Sequence, residues 1–243
     1  MNRSHVDGDT ARGTLYGVGL GPGDPDLLTR RAARLIEGAT VIAWPSLAGG
    51  DSLARAIAAD LIPAGAREIR MDVPMTTERG PAQAAYDAGA AEIAAALAGG
   101  EDVVCLCEGD PFFYGSFMYL HARLRDRFRV EIVPGVTSLT ACASRVPMPL
   151  AARNEVVTIV PGPLPDDALR AHLRAADTLV LMKVGRHLPR LRDLVAGEGL
   201  LDRAQYVERA TLGAERVLPL AQAPDAAPYF SMILIAKGAD PWL

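Results

Sequence analysis

The stretch GVGLGPGDPDLLT, residues 17–29, decides how this chain is read. It follows a short apolar run, Leu15 to Val18, and precedes an amphipathic segment from Leu27 to Ile36. A strand, a glycine-proline turn and a helix start therefore fall side by side. Glycines at 19, 21 and 23 permit backbone angles closed to other residues and let a ligand reach the main chain. Pro22 stiffens the turn and removes an amide donor, and Asp24 with Pro25 predicts a capped helix start. Two readings stand: a structural turn with its helix cap, or a ligand platform at the carboxyl end of a strand, where open α/β sheets bind small molecules. The spacing is not the dinucleotide fingerprint. Counted from Gly17 the sixth position is Pro22, from Gly19 it is Asp24, and no phosphate-loop lysine follows.

Outward from this turn the pattern is rhythmic. β-like runs at 14–18, 39–43, 67–70, 102–107 and 130–133 alternate with helical stretches near 26–37, 51–60, 81–98 and 113–126. That alternation predicts a mostly parallel sheet with helices on its faces. After Val133, residues 137–145 read as a helix, and Pro147 and Pro149 punctuate a connection. Beyond it, strand-like runs at 155–160, 178–183, 205–208, 215–218 and 231–236 are separated by only two convincing helices, near 165–175 and 187–196. Late strands that follow one another closely predict antiparallel pairing and a mixed sheet. The expected architecture is α/β throughout: a flexible tail over 1–13, an N-terminal α/β domain over 14–135, a linker over 136–150, a C-terminal α/β domain over 151–243, and a cleft between the two domains.

Composition narrows the function. The chain has 243 residues, is 50% hydrophobic and carries a formal net charge of −4, spread along its length. A nucleic-acid binder would concentrate basic charge on one face, so no nucleic-acid partner is expected. No apolar run approaches the roughly 18 residues that span a bilayer, so no membrane partner is expected either. The polar N-terminus lacks the apolar core of a secretory signal. Three cysteines fit a reducing cytoplasm rather than a disulfide framework. Cys105 and Cys107 would share one face of a strand, as small buried hydrophobes or as a metal pair; with no companion ligands nearby, and no ligand spacing among the histidines at 5, 121, 172 and 187, no metal site is expected.

Three further strand ends carry glycine and small polar residues. In DVVCLCEGDPFFYGSFM, residues 102–118, an apolar strand meets the turn Glu108-Gly109-Asp110-Pro111. In VEIVPGVTS the strand runs into Pro134-Gly135 and the hydroxyls of Thr137 and Ser138, and in LVLMKVGRH it ends at Met182 and Lys183 before Gly185. Each alone reads equally as a helix cap or core packing. Together, in order, they resemble the tetrapyrrole methylase family, over about residues 13–237. The finer segments EGDPFFYGSFMYL, LMKVGRHLPRLR, YVERATLGAERVLPL and YFSMILIAKG resemble members that methylate a reduced tetrapyrrole during corrin synthesis.

The resemblance implies an S-adenosylmethionine-dependent C-methyltransferase, a tetrapyrrole substrate and a homodimer. It implies a folded cofactor between the domains, contacted largely by main chain. Carried over position by position, Pro22, Gly109, Asp110, Pro111, Phe113, Tyr114, Thr137, Ser138, Met182, Thr211, Leu212, Gly213, Ser231 and Met232 would bind it. Glu108, Asp24 and Tyr114 lie in loops at the expected cleft and are candidates for handling a proton; Glu108 and Asp24 read equally as capping groups. A substrate rich in carboxylates calls for basic forks, and Arg153, Lys183, Arg186 and Arg209 adjoin the motifs, each with a solvated surface charge as its other reading. Other family substrates and a non-catalytic tetrapyrrole carrier remain as rivals; the net charge speaks against RNA.

Overall fold

A computed structural model describes residues 12–47, 50–74 and 79–238. The expected tail lies outside the described residues as far as residue 11. The chain divides into two compact units, residues 1–137 and 138–243. Residues assigned to the connection by sequence thus include a helix, Ser138–Arg145, that opens the second unit.

The first unit is built on a five-stranded parallel sheet: β1 (Thr14–Gly19), β2 (Val41–Leu47), β3 (Arg67–Val73), β4 (Val103–Cys107) and β5 (Arg129–Val133), in the order β3-β2-β4-β1-β5. Helices α1 (Arg30–Glu37), α2 (Leu53–Ile57), α3 (Arg79–Ala98) and α4 (Phe117–Leu124) connect them. Every residue of β4, VVCLC, is buried, as expected of a central parallel strand covered on both faces. Its alternation sorts the core. Val103, Cys105 and Cys107 pack with Ile93, Leu97, Phe117 and Leu120 of α3 and α4, while Val104 and Leu106 pack with Ile36 and Ile57 of α1 and α2. The two cysteines share a face as the period-two pattern requires, and burial pushes the Cys107 thiol up to about 11.

The second unit holds α5 (Ser138–Arg145), β6 (Val157–Pro161), α6 (Asp166–Ala175), β7 (Thr178–Met182), α7 (Leu188–Gly197), β8 (Ala204–Glu208), β9 (Arg216–Pro219) and β10 (Ser231–Ala236). Its sheet order is β6-β7-β10-β8-β9, with β6 and β7 parallel and the other pairs antiparallel. The mixed sheet read from the close spacing of the late strands is therefore present. Leu169 and Leu173 of α6 and Leu188, Leu191 and Val195 of α7 cover one sheet face, with Tyr206, Ile233 and Ile235 beneath them.

Two helix starts differ from the sequence reading. Residues 26–37 are not one helix. Asp24 caps a 3-10 turn, Pro25–Leu27, by accepting from the Asp26 N–H at 2.9 Å; Leu28 is extended; Thr29 then caps α1 by accepting from the Ala32 N–H at 3.1 Å. Likewise α4 begins at Phe117 rather than near 113, because Tyr114 adopts a left-handed φ of 55° that ends any helix through it. Among the described residues, no helix is long and apolar enough to cross a membrane.

Candidate functional site

Strands β4, β1 and β5 are neighbours, so the loops leaving their carboxyl ends are brought together. The first two are joined by a two-residue antiparallel bridge. The Gly109 N–H donates to the Gly21 carbonyl at 2.7 Å and the Gly21 N–H donates back to the Gly109 carbonyl at 3.2 Å. The third loop is fastened by Asp110, whose Oδ2 accepts from the Gly135 N–H at 3.1 Å while its Oδ1 accepts from the Phe112 N–H at 2.9 Å.

These loops meet backbone to backbone. A Cβ on Gly135 would lie 2.1 Å from the Gly109 carbonyl oxygen, and one on Gly19 would lie 2.6 Å from the Gly135 nitrogen. Gly109 is a glycine for a different reason: its φ is +65° and the space where a Cβ would stand is open. Pro22, Gly109, Asp110, Pro111, Phe113, Tyr114 and Thr137 are all carried on this three-loop edge. Pro111 is buried, Tyr114 is exposed, and the Phe113 and Tyr114 rings meet edge to face at 5.3 Å.

The candidate proton-handling groups sit on the same loops. Glu108 is partly buried and its Oε1 accepts from the Ala54 N–H, at the start of α2, at 3.2 Å. Burial pushes its carboxyl above the ordinary carboxylate value, and hydrogen bonds from its own backbone and from Ala54 oppose that shift. Asp24 holds the 3-10 turn through Asp26.

In the second unit a corresponding edge forms where β7 and β8 end and β10 begins. Ile233 pairs with Leu181 on one side, and Ser231 pairs with Glu208 on the other. Met182, Lys183, Arg209, Ser231 and Met232 therefore lie along one sheet edge, with Arg186 in the turn after β7. The Gly162 N–H donates to the Met182 carbonyl at 2.7 Å and the Arg209 N–H to the Phe230 carbonyl at 2.8 Å. Arg153 is placed elsewhere. It precedes β6, and since β6 runs parallel to β7 it stands toward the opposite edge. Ser138 is the first residue of α5. Thr211, Leu212 and Gly213 form the turn between β8 and β9.

One backbone feature recurs in both units. Among the described residues, six other than glycine have positive φ: Tyr114, Pro147, Arg153, Lys183, Arg209 and Thr211. Five of these are residues singled out from the sequence for cofactor or substrate. Strained backbone concentrates at functional sites, where the surrounding structure over-determines it.

Sequence reasoning passed over several ionisable groups near the second edge. Glu208, buried under the β8 end, accepts from the Tyr206 hydroxyl and from Arg216 Nη1 at 3.4 Å. Glu215 accepts from the Thr211 N–H. His187, in the turn with Arg186, has its proton affinity lowered by burial and by Arg186 and Arg190. A buried carboxylate beside YVE was visible as an ionisable residue on an apolar strand. Glu215 offered no spacing signal.

The family model described as Tetrapyrrole (Corrin/Porphyrin) Methylases matches residues 14–224. A precorrin-2 C(20)-methyltransferase from a Sinorhizobium species is 41% identical over 237 residues, covering 94% of this chain and 97% of that protein. The cobalamin biosynthesis protein CobIJ of Mycobacterium bovis is 44% identical over 94% of this chain but is matched over only 47% of its own length, so the chain spans about half of that relative. A uroporphyrin-III C-methyl transferase from Thermus thermophilus, solved with S-adenosyl homocysteine, superposes with a TM-score of 0.67 at 28% identity, covering 91% of this chain and 97% of that one.

Proposed function

This chain belongs to the tetrapyrrole (corrin/porphyrin) methylases, and on that premise we propose that it transfers a methyl group from S-adenosylmethionine to C20 of precorrin-2, giving precorrin-3A. The observation that carries the substrate is the near end-to-end similarity to a precorrin-2 C(20)-methyltransferase. The observation that supports the cofactor is the three-loop edge, where main chain at Gly19, Gly21, Gly109 and Gly135 comes into close contact and the Cβ position of Gly109 is left open.

Bound S-adenosylmethionine supplies an already activated sulfonium methyl, so the protein needs no covalent nucleophile. Its task is to orient a carbon nucleophile in line and to exclude water. Pro22, Gly109, Asp110, Pro111, Thr137, Ser138 and Thr211 to Gly213 present main chain to the cofactor, Phe113, Tyr114 and Met182 add side-chain surface, and Ser231 and Met232, whose side chains are buried, contribute through the backbone. Asp110 spends both carboxylate oxygens on Phe112 and Gly135, so it orders the loops rather than moving a proton. Of Asp24, Glu108 and Tyr114, Glu108 is the carboxylate whose proton affinity burial raises, which favours it as acceptor of the proton lost from the methylated carbon. Lys183, Arg186 and Arg209 take the substrate carboxylates. The same reading includes a homodimer, to be checked by light scattering, and a cytoplasmic enzyme, with which three buried free cysteines agree.

The deciding experiment incubates the protein with methyl-labelled S-adenosylmethionine and either metal-free or cobalt-loaded precorrin-2. Gain of one methyl, located at C20 by NMR, supports the reading, and the preferred substrate form assigns the route. Tight binding of both ligands without transfer would leave a carrier. Transfer to uroporphyrinogen instead would move the chain to another branch of the family.

A further inference from the structure

The turn after β8 holds two side-chain-bearing residues in left-handed backbone, Arg209 at φ 50° and Thr211 at φ 69°. Conformations of this kind persist only where neighbours impose them. At Arg209 the N–H is held by the Phe230 carbonyl; at Thr211 the holding group is Glu215. Its Oε2 accepts from the Thr211 N–H at 2.6 Å, and its Oε1 accepts from Arg145 Nε at 2.7 Å. Its own N–H donates to the Leu212 carbonyl at 2.9 Å, and the Leu212 N–H donates to the Arg209 carbonyl at 2.9 Å. The Glu215 side chain is only 16% exposed, against 52% for Arg145, so the carboxylate is sheltered while its counter-ion faces water.

Arg145 is the last residue of α5, the helix that Ser138 begins. One carboxylate therefore ties the 209–213 turn to the helix whose start is a second candidate cofactor contact. Both oxygens are committed, which leaves Glu215 no direct role in the chemistry. We propose that Glu215 is a positioning residue: braced by Arg145, it holds Thr211, Leu212 and Gly213 in the shape that receives the cofactor. The proposal rests on the reading of this turn as a cofactor contact. Arg145 keeps the carboxylate aimed at the turn, and a charge-assisted hydrogen bond is stronger than a neutral one.

The test measures S-adenosylhomocysteine affinity by calorimetry, and KM and kcat for methyl transfer, on the full chain. Glu215→Ala should weaken binding about tenfold and raise KM for S-adenosylmethionine by the same factor, with kcat within about threefold of wild type. Glu215→Gln keeps an acceptor for Thr211 but loses the charge, and Arg145→Ala loses the brace; each should weaken binding about threefold. Glu198→Gln is the control. That carboxylate, 10% exposed, pairs Arg170 and Arg174, and its loss should lower the melting temperature without changing cofactor affinity. If Glu215→Ala does not fold, the other two variants decide. Wild-type binding with unchanged affinity in Glu215→Gln and Arg145→Ala overturns the positioning role alone. Equal losses of affinity in Glu198→Gln also overturn it, since general destabilisation would then suffice. No binding by wild type overturns the cofactor reading and the positioning role with it.

Discussion

At the residue scale, Glu108 combines a structural contact with the proton-accepting role proposed for it. It closes β4, caps the start of α2 through the Ala54 N–H, and is forced by burial to hold its proton more tightly than an ordinary carboxylate. The consequence for stability has a definite sign. Below the ordinary value of 4.5 the group is protonated in both folded and unfolded chains, and its burial carries no charge penalty. As pH rises above that value the unfolded chain ionises first, so stability is lost until the folded group has ionised too. Glu108→Gln cannot ionise yet still offers an oxygen to Ala54. Its melting temperature relative to wild type should therefore rise as pH climbs above 4.5. A difference that stays flat across that range would mean that the carboxyl is solvated rather than buried.

At the element scale, the joining of three loops is a matter of adjacent strands and absent side chains. Gly135 and Gly109 separate two causes that a sequence shows as the same letter. Gly135→Ala drives a Cβ into the Gly109 carbonyl, where backbone has to move, at a cost of about 1–3 kcal/mol. Gly109→Ala meets no atom and suffers only its left-handed angle, about 1–2 kcal/mol. Urea unfolding measures both. The sharper distinction is that Gly135→Ala should also weaken S-adenosylhomocysteine binding by displacing the Gly21–Gly109 bridge, and an undisturbed affinity would refute the view that this edge shapes the site. The sequence carried the ten strands found among the described residues and the change from parallel to mixed sheet, because strand identity is written locally in apolar runs and their spacing. It did not carry the break at Leu28, since Asp24 and Thr29 are both good caps and only packing selects two starts over one. It showed glycines at 19, 109 and 135 without showing that they touch. That contact depends on β1 lying between β4 and β5, a long-range fact of strand order. Glu215 was invisible for the same reason: its meaning lies in Arg145, seventy residues earlier.

At the scale of the whole molecule, charge poses the last question. The chain carries a formal charge of −4, and the proposed substrate is a polycarboxylate, so the far field of the protein repels it. Binding then depends on local positive charge at the edge of the second sheet, where Lys183, Arg186 and Arg209 are exposed. Elsewhere arginines pair with carboxylates: Arg55 with Glu68, Arg123 with Asp87, Arg174 with Glu198 and Arg192 with Asp225. The two effects respond differently to salt. Raising ionic strength from about 0.01 M to about 1 M shortens the screening length from roughly 30 Å to roughly 3 Å, which removes the distant repulsion and also weakens exposed close pairs. If local forks dominate, KM for the tetrapyrrole rises across that range while KM for S-adenosylmethionine, held by main chain, changes little. If net charge dominates, KM for the tetrapyrrole falls. Replacing Lys183, Arg186 and Arg209 together by glutamine should abolish the rise under the first outcome, because focused charge acts only through the residues that focus it.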